Sequence, residues 1–505
     1  MTRSEPELDW NMEQSAISCL DAAMQEVRNT ELTQQIKLPE GMPDVGRILA
    51  SWGQAILRSK EWRDGEIIIS GGMMVWVLYL PENGGKECCI ETWIPFQMKW
   101  DLEDDLPEGC IRVRLLTRSA DGRSVSPRKI MVRACVSALA EVYVPCEREL
   151  AVPAMASEDV QMLQTTYPMR MIMEAGEKTF VMDEDLTLPE SIPQPEKLIY
   201  CRMNPKVTER RVLGDKLAFR GTGNLHILYR SDEGQLHSWD FELPFSQLAQ
   251  LDREYGNDAQ GDLALVVTNL EAELDDEGHL RLKGGMAGQY LITDRQMISL
   301  VEDAYSPGQE LKLDTQELEL PVILENRREN LYGEQILPAE GNVAADVSFL
   351  AEFPRQRRKE NSVELEYPGT FQVLYYGKDG SLQSANARWE GRQTVKADEN
   401  SLLMAVPMPG EPQALMGNGE IQVKTELPVE LTAGVRQKIP MVSGVELGEQ
   451  RNMDGNRPAL ILQRAGDLRL WDIAKGSGST VEDIRRVNHL QGEPAPGQML
   501  LIPVR

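Results

Sequence analysis

The chain has 505 residues, 80 of them acidic and 53 basic, for a formal charge of −27. That balance repels phosphate backbones and anionic bilayers, which excludes nucleic-acid binding and membrane-surface attachment as main roles. At about 100–200 residues per domain the length corresponds to about three to five domains, and 41% apolar residues suffice for their cores.

No apolar run reaches the ~18 residues of a spanning helix; the longest is MMVWVLYL, residues 73–80. The N-terminus reads MTRSEPELDW, with acids where a signal peptide needs an apolar core, so a cytosolic chain without membrane insertion is expected. Seven scattered cysteines without a CxxC pair fit a reducing compartment, with neither a disulfide framework nor a zinc site. Ile17, Leu20, Met24 and Val27 recur at spacings of three and four, which predicts an amphipathic helix over 10–28.

From residue 38 the chain repeats itself. LPEGMPDVGRIL at 38–49 returns as LPESIPQPEKLI at 188–199, an offset of 150, and in shortened form as LPAEGN at 337. Tyr79, Tyr229 and Tyr375 follow at matching distances, each ending an apolar run before a turn rich in Gly, Asn or Asp. Pro95-Phe96 and Pro244-Phe245 come next in the first two copies, and Trp389-Glu390-Gly391 in the third. A period this long indicates tandem domains. Within each copy, alternating runs such as Val363, Leu365 and Tyr367 predict strands, and Asn83-Gly84-Gly85, Asp232-Glu233-Gly234 and Lys378-Asp379-Gly380 predict hairpin turns. Further strands, Arg112–Leu116 and Ile130–Ala134, complete a β-sandwich pattern.

After a polar linker at 449–457 the pattern changes to strand, helix, helix, strand. Ala459–Leu462 and Met499–Ile502 are the strands. Leu470–Lys475 belongs to the first helix, stopped by Gly476-Ser477-Gly478. Ser479 with Glu482, or Thr480 with Asp483, forms a capping box for the second. This module, 457–505, carries seven basic and five acidic residues, so the acidity lies in the rest of the chain.

LWDIAK, STVEDIRRVN and PGQMLLIP resemble the three blocks of a LysM module, a βααβ domain. One departure is an extra residue before the Leu-Trp pair, with Arg469 where such modules place a small capping hydroxyl. The repeated unit resembles the SPOCS domain of clostridial sporulation proteins, and SPOCS repeats followed by one C-terminal LysM resemble the SipL-type spore coat morphogenetic family. The expected fold is therefore mainly β: tandem sandwich-like SPOCS repeats at 36–150, 151–314 and, degenerate, 315–448, after an N-terminal helical or extended segment at 1–35 and before LysM at 458–505.

No catalytic constellation is present. His226 and His237 flank one hairpin, but the positions matching His226 are Trp76 and Gln372, so a structural histidine is expected, and no metal. Gly476–Thr480 lacks the lysine of a phosphate loop and reads as an interhelix turn. Cys88-Cys89 reads as packing, Glu103-Asp104-Asp105 and Asp183-Glu184-Asp185 as solvated loops, and the basic run Arg355, Arg357, Arg358, Lys359 as a charged sheet edge. We therefore expect no enzyme and no cofactor.

The family resemblance implies a coat-assembly scaffold that binds the coat-basement ATPase SpoIVA through LysM, with other coat proteins as further partners, at the forespore surface facing the mother-cell cytosol. The alternative is a peptidoglycan-binding wall or cortex protein with a glycan ligand; the missing export signal favours the first. Because both LysM strands are apolar on both faces, some side chains must face outward unless a repeat covers them. The expected partner-binding residues are Trp471, Leu460, Leu470, Lys475 and Arg469, the competing reading for Trp471 being a filler of the module's core.

Overall fold

Alternating β-branched and aromatic residues carry almost the whole chain into antiparallel strands. The computed structural model describes residues 12–103, 106–153, 160–339, 341–397, 400–417, 419–450, 458–466 and 468–504. Strands β1 (Met12–Lys37), β2 (Val45–Arg63), β3 (Glu66–Pro81), β4 (Cys88–Asp101), β5 (Cys110–Ser126) and β6 (Lys129–Pro153) form the sheet β2-β3-β4 and the layer β1-β6-β5, which continues through Leu20↔Ile172 into the following strands as one six-stranded sheet. Every second side chain points between them: Ile67, Ile69, Met73, Val75 and Val77 from one sheet meet Val132, Ala134, Val136, Ala138 and Val142 from the other.

Strands β7 (Gln161–Leu186), β8 (Pro195–Ser231), β9 (Leu236–Tyr255), β10 (Gln260–Leu274) and β11 (Leu280–Tyr305) repeat the order, as the sheet β8-β9 and the layer β7-β11-β10. Here β8 covers the length of β2 plus β3, turning at Gly214 (φ 59°). Its two arms lie side by side, with the Thr208 hydroxyl donating to the Arg220 carbonyl oxygen. A third round follows, with β12 (Gln309–Leu337), β13 (Gly341–Ala351), β14 (Arg355–Lys359), β15 (Ser362–Gly377), β16 (Leu382–Lys396), β17 (Ser401–Pro407), β18 (Glu411–Met416) and β19 (Ile421–Gln450). Its sheets place β15 between β13/β14 and β16, and β19 between β12 and β17/β18. The third copy is degenerate in that β13/β14 and β17/β18 are each one strand of the pattern broken in two.

The repeat landmarks have a physical basis. Tyr79 and Tyr229 are buried and donate, each at 3.0 Å, to the carbonyl oxygens of Pro43 and Pro193 in the Leu-Pro-Glu loop of their own copy. Tyr375 occupies the same place in β15 but donates to Gln383, because the loop before β13 is three residues long against seven before β2. In all three copies an aromatic ring crosses a strand glycine. A Cβ on Gly71 would lie 2.3 Å from the Ile56 carbonyl oxygen and 2.7 Å from Phe96; Gly221 has the same relation to Lys206 and Phe245, and Gly369 to Phe349. Gly71→Ala should therefore destabilise the chain by about 1–3 kcal/mol in urea unfolding, since a backbone oxygen cannot move aside as a side chain can.

The helix expected over 10–28 is instead strand β1, paired with β6 from Met12↔Pro153 to Lys37↔Lys129. Tertiary pairing overrides the helical stripe: β6 is a long apolar strand that needs a partner on this side. A bulge between Ala22 and Met24 shifts the alternation, and Val27, expected on the apolar stripe, is exposed. The segment before the Leu-Pro-Glu loop is thus the first strand of each sandwich, so the first sheet pair begins at β1 rather than at 36, and the second at β7. Of the linker expected at 449–457, the first two residues end β19; 451–457, with residues 1–11, Asp104, Asp105 and Asp467, lie outside the described residues.

The long strands outrun their sandwiches and pack together. Cys19 and Leu150 (β1, β6), Met171 and Leu300 (β7, β11), and Leu320 and Met441 (β12, β19) share one buried cluster. Two polar centres also join all three copies. At the first, Trp52 Nε1 (3.0 Å), Tyr200 Oη (3.1 Å) and His226 Nε2 (2.7 Å) all meet the carboxylate of Asp346, which is 2% exposed, and Trp52 stacks on Tyr200 at 4.4 Å. His226 Nδ1 lies 2.7 Å from Asp240, so both ring nitrogens face carboxylates, an arrangement that favours the imidazolium. At the second, Arg112 pairs with Asp262 (2.7 Å), and Arg114 and Arg328 pair with Glu430 (2.9 and 2.8 Å).

Candidate functional site

The C-terminal module is built from β20 (Leu460–Arg464), α1 (Leu470–Ser477), α2 (Val481–Asn488) and β21 (Met499–Pro503). Leu470, Ile473, Ala474, Ile484, Leu500 and Ile502 form its core. Thr480 caps α2 by accepting the Asp483 N–H at 3.1 Å, and Gly478 ends α1 at φ 67°. At α1 the N-cap position is Arg469, which makes no side-chain cap. Glu493, from the connection between α2 and β21, supplies it by accepting the Leu470 N–H at 2.7 Å. The residue that departs from the LysM pattern is thus compensated from a distant loop.

The two strands alternate. Ile461, Leu500 and Ile502 point toward the helices, while Leu460, Leu462, Met499 and Leu501 are exposed on the opposite face. Cross-strand register places Leu462 opposite Leu501 and Arg464 opposite Met499, so the exposed apolar side chains are contiguous. Four large apolar groups together on one small face form a patch rather than scattered exposure.

The expected binding residues do not act as one surface. Leu460 lies on the exposed face. Leu470 is fully buried in the module core and cannot touch a partner; it is the first helical residue, turned inward by the stripe it begins. Trp471 is 7% exposed and is covered by the end of β11: its Nε1 donates to Asp303 at 2.8 Å, and its ring meets Tyr305 edge-on at 4.8 Å. Lys475 Nζ reaches the same carboxylate at 2.7 Å, and Tyr305 Oη donates to the Ser479 carbonyl at 2.9 Å. Trp471 and Lys475 are therefore the internal anchor of the module on the second repeat, not an open docking surface. Arg469 is exposed beside them, ion-paired with Asp472. Asp303 and Tyr305 escaped sequence reasoning, since nothing in ISLVEDAY separates them from a solvated strand end.

Among the described residues no group of three or more His, Cys, Asp or Glu could hold a metal ion, and no helix is long and apolar enough to cross a membrane. His226 is buried and fully partnered, and His237 lies apart from it, against Tyr229 at 6.0 Å. Burial pushes the Cys89 thiol up to about 12, which keeps it protonated. Gly476–Thr480 is the end of α1 and its turn into α2. Arg355–Lys359 is the exposed strand β14, with charges facing Glu364 and Glu366 across the ladder.

Residues 194–275 match the family of SipL SPOCS domains, and residues 464–503 match the LysM domain family. The chain carries a SipL-type SPOCS domain and a LysM domain. The matched SPOCS segment spans β8, β9 and β10, the strands that hold Tyr229 and the Gly221–Phe245 crossing. A SipL-type sporulation role and a peptidoglycan-binding type of C-terminal module follow from the two domains, both of non-catalytic families. Neither the curated proteins nor the solved structures yield a match to this chain.

Proposed function

We propose that this SipL-type chain is a non-enzymatic scaffold of spore coat assembly. It consists of three SPOCS units, the third degenerate, and a LysM module that binds the SpoIVA-type coat ATPase at the forespore surface, on the mother-cell side. The observation that carries this reading is the exposed apolar face of Leu460, Leu462, Met499 and Leu501, held outward because Trp471 and Lys475 fasten the opposite side of the module to β11. An apolar sheet face suits a protein surface better than a glycan, which needs polar partners.

Leu460→Arg should leave the circular dichroism spectrum unchanged, because the side chain already faces water. It should weaken capture of the coat ATPase from sporulating lysate by about tenfold or more, as expected for an anchor at the centre of an interface. Undiminished capture by a folded Leu460→Arg/Leu501→Arg variant would place the interface elsewhere. Retention on peptidoglycan that both substitutions leave intact would favour a glycan ligand instead.

A further inference from the structure

The two strands of the LysM module form a sheet of their own, and its two edges differ in kind. At the ends of the ladder the Ala465 N–H donates to Gln498 at 2.7 Å and the Val504 N–H to Ala459 at 3.1 Å. Bonded positions alternate in an antiparallel pair. Ile461 and Gln463 therefore face β21 as well, while the N–H and C=O groups of Leu460, Leu462 and Arg464 point away from it. On β21 the outward positions are Met499, Leu501 and Pro503. That edge is closed. The Asn488 side chain donates to the Leu501 carbonyl oxygen at 2.6 Å and accepts the Leu501 N–H at 2.8 Å, standing where a neighbouring strand would pair. Pro503 has no N–H to offer.

The edge of β20 is open. The outward N–H and C=O groups of Leu460, Leu462 and Arg464 meet no partner among the described residues, and Leu460 and Leu462 are 55% and 64% exposed. Edge strands are ordinarily guarded by charge or by proline. Strand β14, also five residues long, follows that rule with Arg355, Arg357, Arg358 and Lys359. Strand β20 reads Leu-Ile-Leu-Gln-Arg, with no proline and no charge before its last residue. The module is fastened to β11 through Trp471 and Lys475 of α1, so that anchor does not occupy this edge.

We infer that the protein partner of the LysM module adds a strand to the open edge of β20, as an extended segment with apolar side chains at alternate positions. This rests on the role proposed for the module and specifies how the partner is held. The segment's main chain bonds the outward N–H and C=O groups of Leu460, Leu462 and Arg464. Its residues opposite Leu460 and Leu462 fall on the same face as those leucines and extend the apolar patch that Met499 and Leu501 continue on β21. Backbone pairing supplies affinity in such an addition, and the apolar face selects the side chains. The closed edge of β21 fixes on which side of the sheet the segment lies.

The test uses the full chain and the purified coat ATPase of the proposed role. Leu462→Pro removes one outward N–H and no ladder bond, because that N–H faces away from β21. Leu462→Ala also shortens the side chain but keeps the N–H. The proline variant should bind about tenfold more weakly than the alanine variant. Hydrogen–deuterium exchange over 460–464 should slow by about tenfold or more in the complex. Equal affinity of the two variants, with 481–488 still protected as the sign of a folded module, would overturn the strand addition and leave a contact through the apolar face alone. Unchanged exchange over 460–464 in a formed complex would overturn it equally. If Leu462→Pro does not fold, the exchange of the unaltered chain decides alone. Leu460→Arg weakens binding by either mode, so its effect separates failure of the strand addition from failure of the LysM role. An ATPase that does not bind the unaltered chain overturns both.

Discussion

Asp346→Ala is expected to cost about 3–5 kcal/mol of unfolding free energy, the range for removing one partner from a buried ion pair. The substitution strips the shared acceptor from Trp52, Tyr200 and His226 at once and leaves the imidazolium beside Asp240 alone. Because those three donors come from the first and second repeats while Asp346 belongs to the third, the loss falls on the junction between repeats. Calorimetry should show one transition splitting into two as the third repeat uncouples from the others. A single transition shifted by less than about 1 kcal/mol would show that the junction is held by its apolar contacts alone.

The same centre has a pH signature. Burial by itself pulls the His226 ring down, but Asp346 and Asp240 outweigh it and hold the imidazole above its ordinary 6.5. Burial pushes the Asp346 carboxyl up, and His226 reverses this, holding it below its ordinary 3.8. The His226 contribution is therefore complete below about pH 6.5 and is lost as the pH rises through the raised folded value. The Asp346 contribution is complete above about pH 4 and is lost as the pH falls through the depressed one. Stability should be greatest between these limits, and His226→Gln should remove the alkaline decline specifically.

Much of this architecture was legible in the sequence, and the illegible part has a common cause. The 150-residue offset, the Leu-Pro-Glu loop and the tyrosine mark each sandwich because loop and strand residues must satisfy each other locally, as Tyr79 and Pro43 do. The LysM blocks were equally readable, since caps and helix stripes are local. What the sequence does not show is which polar face meets another repeat. Arg112 and Arg114 alternate with Ile111, Val113 and Leu115, the pattern of a strand with one wet face, yet they are 1% and 7% exposed. Asp346, in the run Ala344 to Phe349, looks the same. The covering of Trp471 is hidden for the corresponding reason: burial by a residue 168 positions earlier, Asp303, leaves no mark in the local pattern. Internal comparison could have supplied a signal, because Arg112 and Asp262 occupy the same place in successive repeats with opposite charge.

That opposition leads to a second large effect. Tandem domains of similar sequence risk pairing with the wrong neighbour or with a second molecule, and complementary charges at equivalent positions select one order. Burial pushes the Asp262 carboxyl up, but Arg112, with Arg114 and Arg210, holds it far below the usual carboxylate range. Arg112→Met should therefore cost about 3–5 kcal/mol, because Asp262 loses its nearest cation and Glu141 a second one. Asp262→Leu should cost a similar amount for the converse reason. The double variant Arg112→Met/Asp262→Leu should cost clearly less than the two losses added, since apolar groups of similar size can replace a buried ion pair at little cost. Arg112→Asp should be the most damaging of the set, adding a second buried carboxylate near Asp262 and Glu141 in place of their cation, and size-exclusion chromatography should then show association through exposed repeat faces. Strictly additive losses in the double variant would show that Arg112 and Asp262 act separately, and that the repeats are ordered by their connections rather than by this pair.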